Sequence, residues 1–190
     1  MADKGYRIRD QKAMHFLTFQ VVYWIDLFTK AHYCDMLLDT FRFYQREKGL
    51  RVHAYVIMTN HIHAILSATQ GQNDLSSIVG NFKRYTSRKL SEMVATEMES
   101  RKRWMFKLFE HAANSNTKNT KYQVWTQSNH PEECYSYDFT KQKLDYIHDN
   151  PVNAGLVDRP DDWVYSSARN YLNKICRLKV DLIHDFVQDE

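Results

Sequence analysis

The chain has 190 residues, which is enough for one substantial hydrophobic core and short for two, so a single domain over residues 1–190 is expected. Hydrophobic residues make up 43% and charged residues 26%, ordinary globular values, and the 5 Gly and 3 Pro argue against long flexible linkers. The net charge of +3 and the pI near 8.6 permit a nucleic-acid partner but do not by themselves indicate one.

The three cysteines, Cys34, Cys134 and Cys176, are odd in number and widely spaced. This arrangement argues against a disulfide framework or a zinc finger and indicates a reducing compartment. The first five residues lack an apolar signal core, and polar or charged residues interrupt every apolar run before it reaches membrane-spanning length. The sequence therefore predicts a cytoplasmic protein without a membrane segment.

In chain order, the first predicted elements are a strand, a helix and a hairpin. Residues 15–22 are rich in β-branched and aromatic side chains and predict a strand, whereas residues 30–48 carry a helical period of apolar positions. Residues 51–58 and 61–68 are predicted as two strands joined by a tight turn at 59–60. A strand followed by a helix therefore opens the fold.

A long amphipathic helix is predicted next, from residue 75 to about 97, with Asp74 as its N-cap. Four basic residues lie off its apolar side: Lys83, Arg84, Arg88 and Lys89. Such a row could follow a phosphate backbone, although a solvated charged face is the commoner explanation.

The second half of the chain is predicted as an insertion, a strand and a helix. Residues 98–122 are mostly polar and are interpreted as an insertion whose end, 114–121, is an exposed loop. Residues 122–127 suit a fourth strand, and residues 140–150 suit a helix that Pro151 cannot continue without a kink. The order βαββαβα predicts an α+β fold, a ferredoxin-like antiparallel sheet with helices packed on one face.

Two histidines begin the second strand of the hairpin. His61 and His63 are one residue apart, so on a strand their side chains point to the same face. Neutral imidazoles bind divalent metals, and two on one rigid strand form half of a metal site. Because the chain has nine His, the pair alone is weak evidence, and core histidines are the commoner explanation.

Three motifs follow one another along the chain: MTNHIH at 58–63, LDYIHDNPVNAGLV at 144–157 and WVYSSA at 163–168. They resemble the REP-associated tyrosine transposases, the single-tyrosine branch of the HUH nucleases, which are named for a His, a hydrophobic residue and a His. The resemblance runs from about residue 16 to residue 172. Three motifs in the right order are far more specific than one.

The resemblance implies a catalytic site. Tyr146 would be the nucleophile, and His61, His63 and Asn150 would bind a divalent cation, Mg²⁺ or Mn²⁺. Tyr146 and Asn150 are four residues apart and so share one face of a helix. Two imidazoles and one amide oxygen would leave coordination positions open for a scissile phosphate. Taken alone, Asn150 is equally well explained as a helix-terminal cap before Pro151.

The resemblance also implies a function, a metal-dependent single-stranded DNA transposase or endonuclease that cleaves and rejoins hairpin-containing DNA through a 5′-phosphotyrosine. A tyrosine ester keeps the energy of the phosphodiester, so a 3′-hydroxyl can rejoin the strand without ATP. The implied partner is single-stranded hairpin DNA from palindromic repeats, and the four basic helix residues are then expected to contact it. A homodimer is left open, because some relatives share active sites across a dimer.

The same residues allow other interpretations of the nucleophile and of the protein class. Tyr85 is the second candidate nucleophile, but its spacing from the Asn-Pro-Val motif differs from the family, and packing or base stacking explains it better. A histidine-triad hydrolase would need a third His where Ile65 stands, and a two-histidine phosphoesterase would need a second His-x-Thr/Ser. The remaining alternative is a domesticated protein that binds hairpin DNA without strand transfer.

Overall fold

The computed structural model describes residues 7–69, 71, 73–96, 100–115 and 121–183. Within them, four strands form one antiparallel sheet in the order β2-β3-β1-β4. The strands are β1 (His15–Gln20), β2 (Leu50–Ile57), β3 (His61–Ala68) and β4 (Glu132–Glu133). The helices are α1 (Ala31–Lys48), α2 (Leu75–Thr96), α3 (Lys102–Asn114), α4 (Tyr137–Asn153) and α5 (Ala168–Tyr171), with 3₁₀ turns at Val22–Trp24 and Pro160–Asp162.

Strand β3 lies in the middle of the sheet, between β2 and β1. A short turn at 58–60 joins it to β2, and Met58 donates its backbone N–H to His61 at 2.8 Å. In the β1–β3 ladder Thr18 faces His63 and Gln20 faces His61. The predicted hairpin is therefore confirmed, and the two histidines begin a central strand with fixed register.

The two faces of the sheet are covered by different helices. On one face Phe41 of α1 stacks on Phe82 of α2 at 4.7 Å between ring centroids, and Phe82 contacts Phe19 of β1 at 5.5 Å. Burying each such ring contributes about 1.5–3 kcal/mol. On the other face Tyr146 of α4 contacts His63 of β3. The predicted α+β fold with an antiparallel sheet is confirmed, but the expectation that the helices pack on one face is wrong, because α1 and α2 cover one face and α4 covers the opposite one.

Helix α4 is longer than expected at both ends. It begins at Tyr137 because the Ser136 hydroxyl accepts a hydrogen bond from the backbone N–H of Phe139 at 3.2 Å, an N-cap that the sequence analysis missed. It runs past Pro151 to Asn153. The proline stands in the last turn, where the missing N–H removes only one intrahelical hydrogen bond. Asn150 is consequently inside the helix and is not its terminal cap.

The fourth strand is not where the sequence predicted it. Residues 122–127 form no strand, and only an isolated bridge joins Trp125 to Val21. They run beside the chain where it leaves β1 and enters the turn at Val22–Trp24, so a regular ladder cannot continue there. Strand β4, which pairs with His15 and Phe16, supplies the fourth strand.

Residues 98–122, interpreted as an insertion, contain a helix that was not predicted, and their assignment as an insertion stays a prediction. Helix α3 occupies residues 102–114, and Met105, Phe109 and Ala112 are buried in the core. These positions are spaced four and three apart, which is the period of an amphipathic helix. Residues 97–99 and 116–120, on which part of the loop prediction falls, lie outside the described residues.

The three cysteines are free thiols, in agreement with their spacing in the sequence. Cys34 is buried, and desolvation is the main reason that its pKa is raised to about 12. Within the part of the chain that the structure describes, every helix is too short or too polar to cross a membrane.

Candidate active site

The two histidines of β3 lie side by side on the face of the sheet that α4 covers. Their ring centroids are 4.6 Å apart and the rings are inclined by 67°. Burial lowers the pKa of His63 to about 3, with smaller contributions from His61 and the Lys143 charge, and burial also lowers the pKa of His61. Both imidazoles are therefore neutral at physiological pH, the form that binds metal.

Hydrogen bonds determine which nitrogen of His61 faces the site. Asn60 donates its amide N–H to Asp26 Oδ1 at 2.9 Å, and because a carboxylate only accepts, the amide oxygen of Asn60 must face the other way. That oxygen lies 2.7 Å from Nδ1 of His61, which must therefore carry the proton and donate it. Nε2 of His61 consequently keeps a free lone pair.

The ring of His63 is held in place by residues of the neighbouring strand β1. Its Nδ1 lies 2.9 Å from the hydroxyl of Thr18, its cross-strand partner in β1, and its ring stacks on Phe16 with centroids 5.3 Å apart. These contacts fix the orientation of the ring. Nε2 of His63 points away from β1, toward α4.

Tyr146 reaches this site from α4. Its phenolic oxygen lies 3.3 Å from Nε2 of His63, and its ring meets Phe16 edge-on at 6.0 Å. Unlike the histidines, Tyr146 has 45% of its surface exposed. A phenol held at the histidine pair and open to solvent can be reached by a large substrate such as a nucleic-acid strand.

Asn150 stands one helical turn beyond Tyr146, and its side chain lies close enough to His61 to raise the pKa of that imidazole, partly offsetting the effect of burial. The four predicted site residues, Tyr146, His61, His63 and Asn150, are thus brought together. Among the described residues, no group of three or more His, Cys, Asp or Glu is placed to hold a metal ion. A cation here would take Asn150 as its third ligand, and two imidazoles with one amide oxygen fit a divalent ion with open positions.

Lys143 is a member of the site that the sequence analysis missed. Its ammonium lies 4.5 Å from the centre of the Phe16 ring and forms an ion pair with Glu132 of β4 at 2.7 Å. It stands three residues before Tyr146, so its place on the same helix face was readable from the spacing. Its positive charge is one cause of the lowered pKa of His63.

His148 lies on the other side of α4. Its Nε2 lies 2.9 Å from the Ser167 hydroxyl, and burial lowers its pKa to about 4. Ser167 in turn accepts the backbone N–H of Tyr55 in β2 at 2.9 Å. The WVYSSA motif therefore docks α4 against the sheet and adds no group to the site.

The basic residues of α2 fall into two kinds. The ammonium of Lys83 donates to the carbonyls of Thr126 and Gln127 and to Oδ1 of Asn129, at 2.7–2.9 Å, and burial lowers its pKa to about 8. All three of its N–H donors are used within the protein. Lys83 therefore connects residues 126–129 to α2. It has no N–H donor available for the predicted contact with DNA.

Arg84, Arg88 and Lys89 keep their charged groups at the surface. Arg88 and Lys89 form loose ion pairs with Glu92 at 3.8 and 3.9 Å. Arg84 and Arg88, with Tyr85 between them, line an open groove of about 1400 Å³ between α2 and residues 121–131. The groove is on the α2 side of the sheet, so it does not contain Tyr146 or the histidines.

Comparisons with known proteins show which chains this one is similar to. The chain is 25% identical over 123 residues to the REP-associated tyrosine transposase of Escherichia coli (strain K12), a match that covers 65% of this chain and 57% of that protein. The chain thus spans little more than half the length of that relative. Its fold is similar to that of a REP-associated tyrosine transposase bound to a REP hairpin, with a TM-score of 0.63, 18% identity, and coverage of 88% and 83% of the two chains.

The family model described as IS200-like transposase matches residues 12–149. The matched range includes His61, His63 and Tyr146 and ends one residue before Asn150. Together with the two relatives, this confirms the resemblance that the three sequence motifs indicated. Because the match takes in most of the chain, from the first strand to the helix that carries the tyrosine, the chain belongs to the IS200-like transposase family.

Proposed function

We propose that this protein is a metal-dependent single-stranded DNA transposase that cleaves and rejoins hairpin-containing DNA through a 5′-phosphotyrosine at Tyr146. The observation that carries the proposal is the contact between an exposed phenol and a neutral histidine pair, in which His63 is buried and its Nε2 lies 3.3 Å from Oη of Tyr146. Family membership supports the transposase assignment. The REP hairpin bound by the similar structure supports a hairpin substrate.

His61, His63 and Asn150 are the residues that would hold the divalent cation, Mg²⁺ or Mn²⁺. When bound, the cation supplies Lewis-acid polarisation of the scissile phosphate. The chain supplies ligands that are already in the form that binds a metal. Both imidazoles are uncharged, and the tautomer of His61 is set by hydrogen bonds through Asn60 and Asp26. Hydrogen bonds of this kind keep metal ligands oriented and raise their basicity.

In the cleavage step the Tyr146 oxygen attacks phosphorus, an O–P bond to the protein forms, and the bond from phosphorus to the 3′ oxygen breaks. The departing oxygen takes a proton and becomes a free 3′-hydroxyl. The phenol gives up its proton as the attack proceeds, and the exposure of Tyr146 lets solvent accept that proton. Rejoining is the reverse, with a 3′-hydroxyl attacking the phosphotyrosine.

The nucleophile is positioned by a packed helix. Leu144 and Ile147 of α4 are buried in the core, and His148 is bonded to Ser167 on the far side of the helix. A tyrosine on such an element keeps its distance to the histidine strand more closely than one on a loop. Few degrees of freedom remain to be fixed when DNA binds.

For the DNA partner we propose single-stranded hairpins from palindromic repeats, with Arg84, Arg88 and Lys89 contacting phosphates. Arg84 and Arg88 line the groove beside α2, and a groove lined by arginines suits a charged backbone. Lys83 supports this surface from within by holding residues 126–129.

The proposal is tested with an end-labelled DNA hairpin carrying a single-stranded flank, incubated with Mn²⁺ or Mg²⁺. A denaturing gel should show a protein–DNA adduct, and mass spectrometry should place it on Tyr146. Tyr146→Phe removes one oxygen and little packing, so it should bind the DNA and form no adduct, and EDTA should abolish cleavage by the wild type. Tyr85→Phe is the matched control and should cleave normally.

Two other outcomes would contradict the proposal in different ways. Cleavage without an adduct would indicate a water nucleophile. Tight hairpin binding without cleavage in either metal would favour the domesticated DNA-binding protein.

A further inference from the structure

The turn that follows β1 holds two exposed aromatic residues in an unusual backbone conformation. Tyr23 and Trp24 both have φ of 56°, in the left-handed region that residues other than glycine rarely adopt. They are also exposed, 50% for Tyr23 and 60% for Trp24. Strained residues of this kind persist only where their surroundings determine them, and they cluster at ligand-binding sites.

The surroundings that determine the turn are its buried neighbours. Val22 and Ile25, on either side of the aromatic pair, are almost fully buried. The backbone N–H of Val22 donates to Val124 at 2.8 Å, and that of Trp24 donates to Val21 at 3.2 Å. The protein thus anchors both ends of the turn and directs the aromatic residues outward, so the core does not account for the indole.

Trp24 lies directly beside the candidate metal ligands. Its ring centroid is 6.0 Å from that of His61, and the rings are nearly perpendicular. The four rings Trp24, His61, His63 and Tyr146 are successive neighbours, separated by 6.0, 4.6 and 5.0 Å. A phosphate held at the histidine pair would therefore have the nucleophile on one side and the indole on the other.

We propose that Trp24 is the stacking surface for an unpaired nucleobase of the strand being cut, next to the scissile phosphate. This inference rests on the proposed function, because it takes the strand at the histidine pair to be single-stranded DNA. Every base has a π face that an indole can cover, and stacking of this kind is insensitive to sequence. Stacking would hold the strand on the side of the histidines away from Tyr146 and so align the phosphate.

Tyr23 provides the matched control. It has the same φ and a similar exposure, but its ring contacts His111 of α3, 6.0 Å away, and not the histidine pair. Tyr23→Ala and Trp24→Ala therefore change the same turn by comparable amounts. Only the second should affect a base at the site.

The experiment measures binding in the Tyr146→Phe background, where no DNA is cut, using one hairpin with and one without a single-stranded flank. Trp24→Ala should weaken binding of the flanked hairpin by about 5- to 150-fold and leave the unflanked hairpin unchanged, the range expected for loss of one stacked base. Trp24→Phe should recover part of the loss, and Tyr23→Ala should behave as the parent protein. An abasic site moved along the flank should weaken the parent at one position and have no effect there in Trp24→Ala.

Equal binding of the flanked hairpin by Trp24→Ala and its parent would overturn the proposal, as would a flank that adds no affinity to the parent. A change from dimer to monomer in Trp24→Ala, seen by light scattering without DNA, would also overturn it, because the indole would then be a contact between two copies. Failure of the proposed function is distinguishable, since it appears as the absence of a Tyr146 adduct in the wild-type protein.

Discussion

At the level of single residues, the orientation of one amide, Asn60, decides how His61 can act. Its side chain connects the carboxylate of Asp26 to Nδ1 of His61, and the direction of each bond follows from which atoms can donate. The MTNHIH motif predicts both histidines of the site from the sequence. Asp26 could not be predicted, because the 34 positions that separate it from Asn60 are closed only by the tertiary fold.

We expect Asp26→Ala to weaken Mn²⁺ binding by about 10- to 100-fold, the usual effect of losing the hydrogen bond that orients a metal-bound histidine, here the bond from Asn60 that Asp26 holds in place. The physical reason is that the Asn60 amide can then turn and offer an N–H to His61. Mn²⁺ affinity can be measured by electron paramagnetic resonance, and the His61 tautomer by ¹⁵N NMR.

Thr59→Val is the matched control for Asp26→Ala. It removes the 2.7 Å bond from the Thr59 hydroxyl to the same carboxylate but leaves the Asn60 bond in place. Its metal affinity and its His61 tautomer should stay as in the wild type. If Asp26→Ala keeps the wild-type tautomer, Asn60 is oriented by something else.

Lys83 shows a limit of reading charge from a helix pattern. In the sequence it is one of four basic residues off the apolar side, and nothing local separates it from Arg84. In the fold, residues 126–129 cover it and take all three of its donors. Which polar face of a helix stays open depends on segments far along the chain.

At the level of elements, the parts that the sequence predicted well are those with strong local periodicity. The β2–β3 hairpin and helices α1 and α2 begin and end close to the expected residues. Strand β4 has only two residues, and its pairing is imposed by β1. Helix α3 was missed because its four buried positions stand among many charged residues, which concealed the period.

The attachment of α4 to the sheet should depend on pH through His148. Its pKa in the folded protein, about 4, is below the ordinary 6.5, so the unfolded chain binds the proton more readily. This contribution to stability is fully present above about pH 6.5 and is lost as the pH falls toward 4. Between pH 7 and 5 the loss should be about 1–2 kcal/mol.

Urea unfolding of the wild type and of His148→Gln at both pH values measures this contribution. The variant should lose less stability on acidification than the wild type, because its amide does not take up a proton. His111→Gln, on the exposed surface of α3, controls for the removal of one histidine. Parallel loss of stability in the wild type and His148→Gln would show that other groups are responsible.

At the level of the whole molecule, the two faces of the sheet have different characters. One face carries the histidines and, through α4, Tyr146, while the other is covered by α1 and α2 and leads to the groove with Arg84, Arg88 and Tyr85. This division follows from β3, whose successive side chains alternate between the faces. The proposed catalytic group, Tyr146 with the two histidines, and the proposed phosphate contacts are therefore separated by the thickness of the sheet.

We expect the double variant Arg84→Ala/Arg88→Ala to bind the hairpin more weakly and with a smaller salt dependence, because each lost phosphate contact reduces the slope of log K against log salt by about 1. Binding titrations over a series of salt concentrations measure it. Arg46→Ala, outside the groove near the end of α1, should keep the wild-type slope. An unchanged slope in the double variant would place the DNA elsewhere.

The hydrogen bonds of Lys83 attach the segment after residue 125 to α2. The segment is fastened to α2 at Thr126, Gln127 and Asn129, passes through β4, and ends at Ser136, the cap of α4. It therefore connects the groove to the helix that carries Tyr146. A DNA stem bound in the groove as proposed would contact a segment that leads directly to the first turn of α4, so we expect stem binding to influence the position of the Tyr146 phenol.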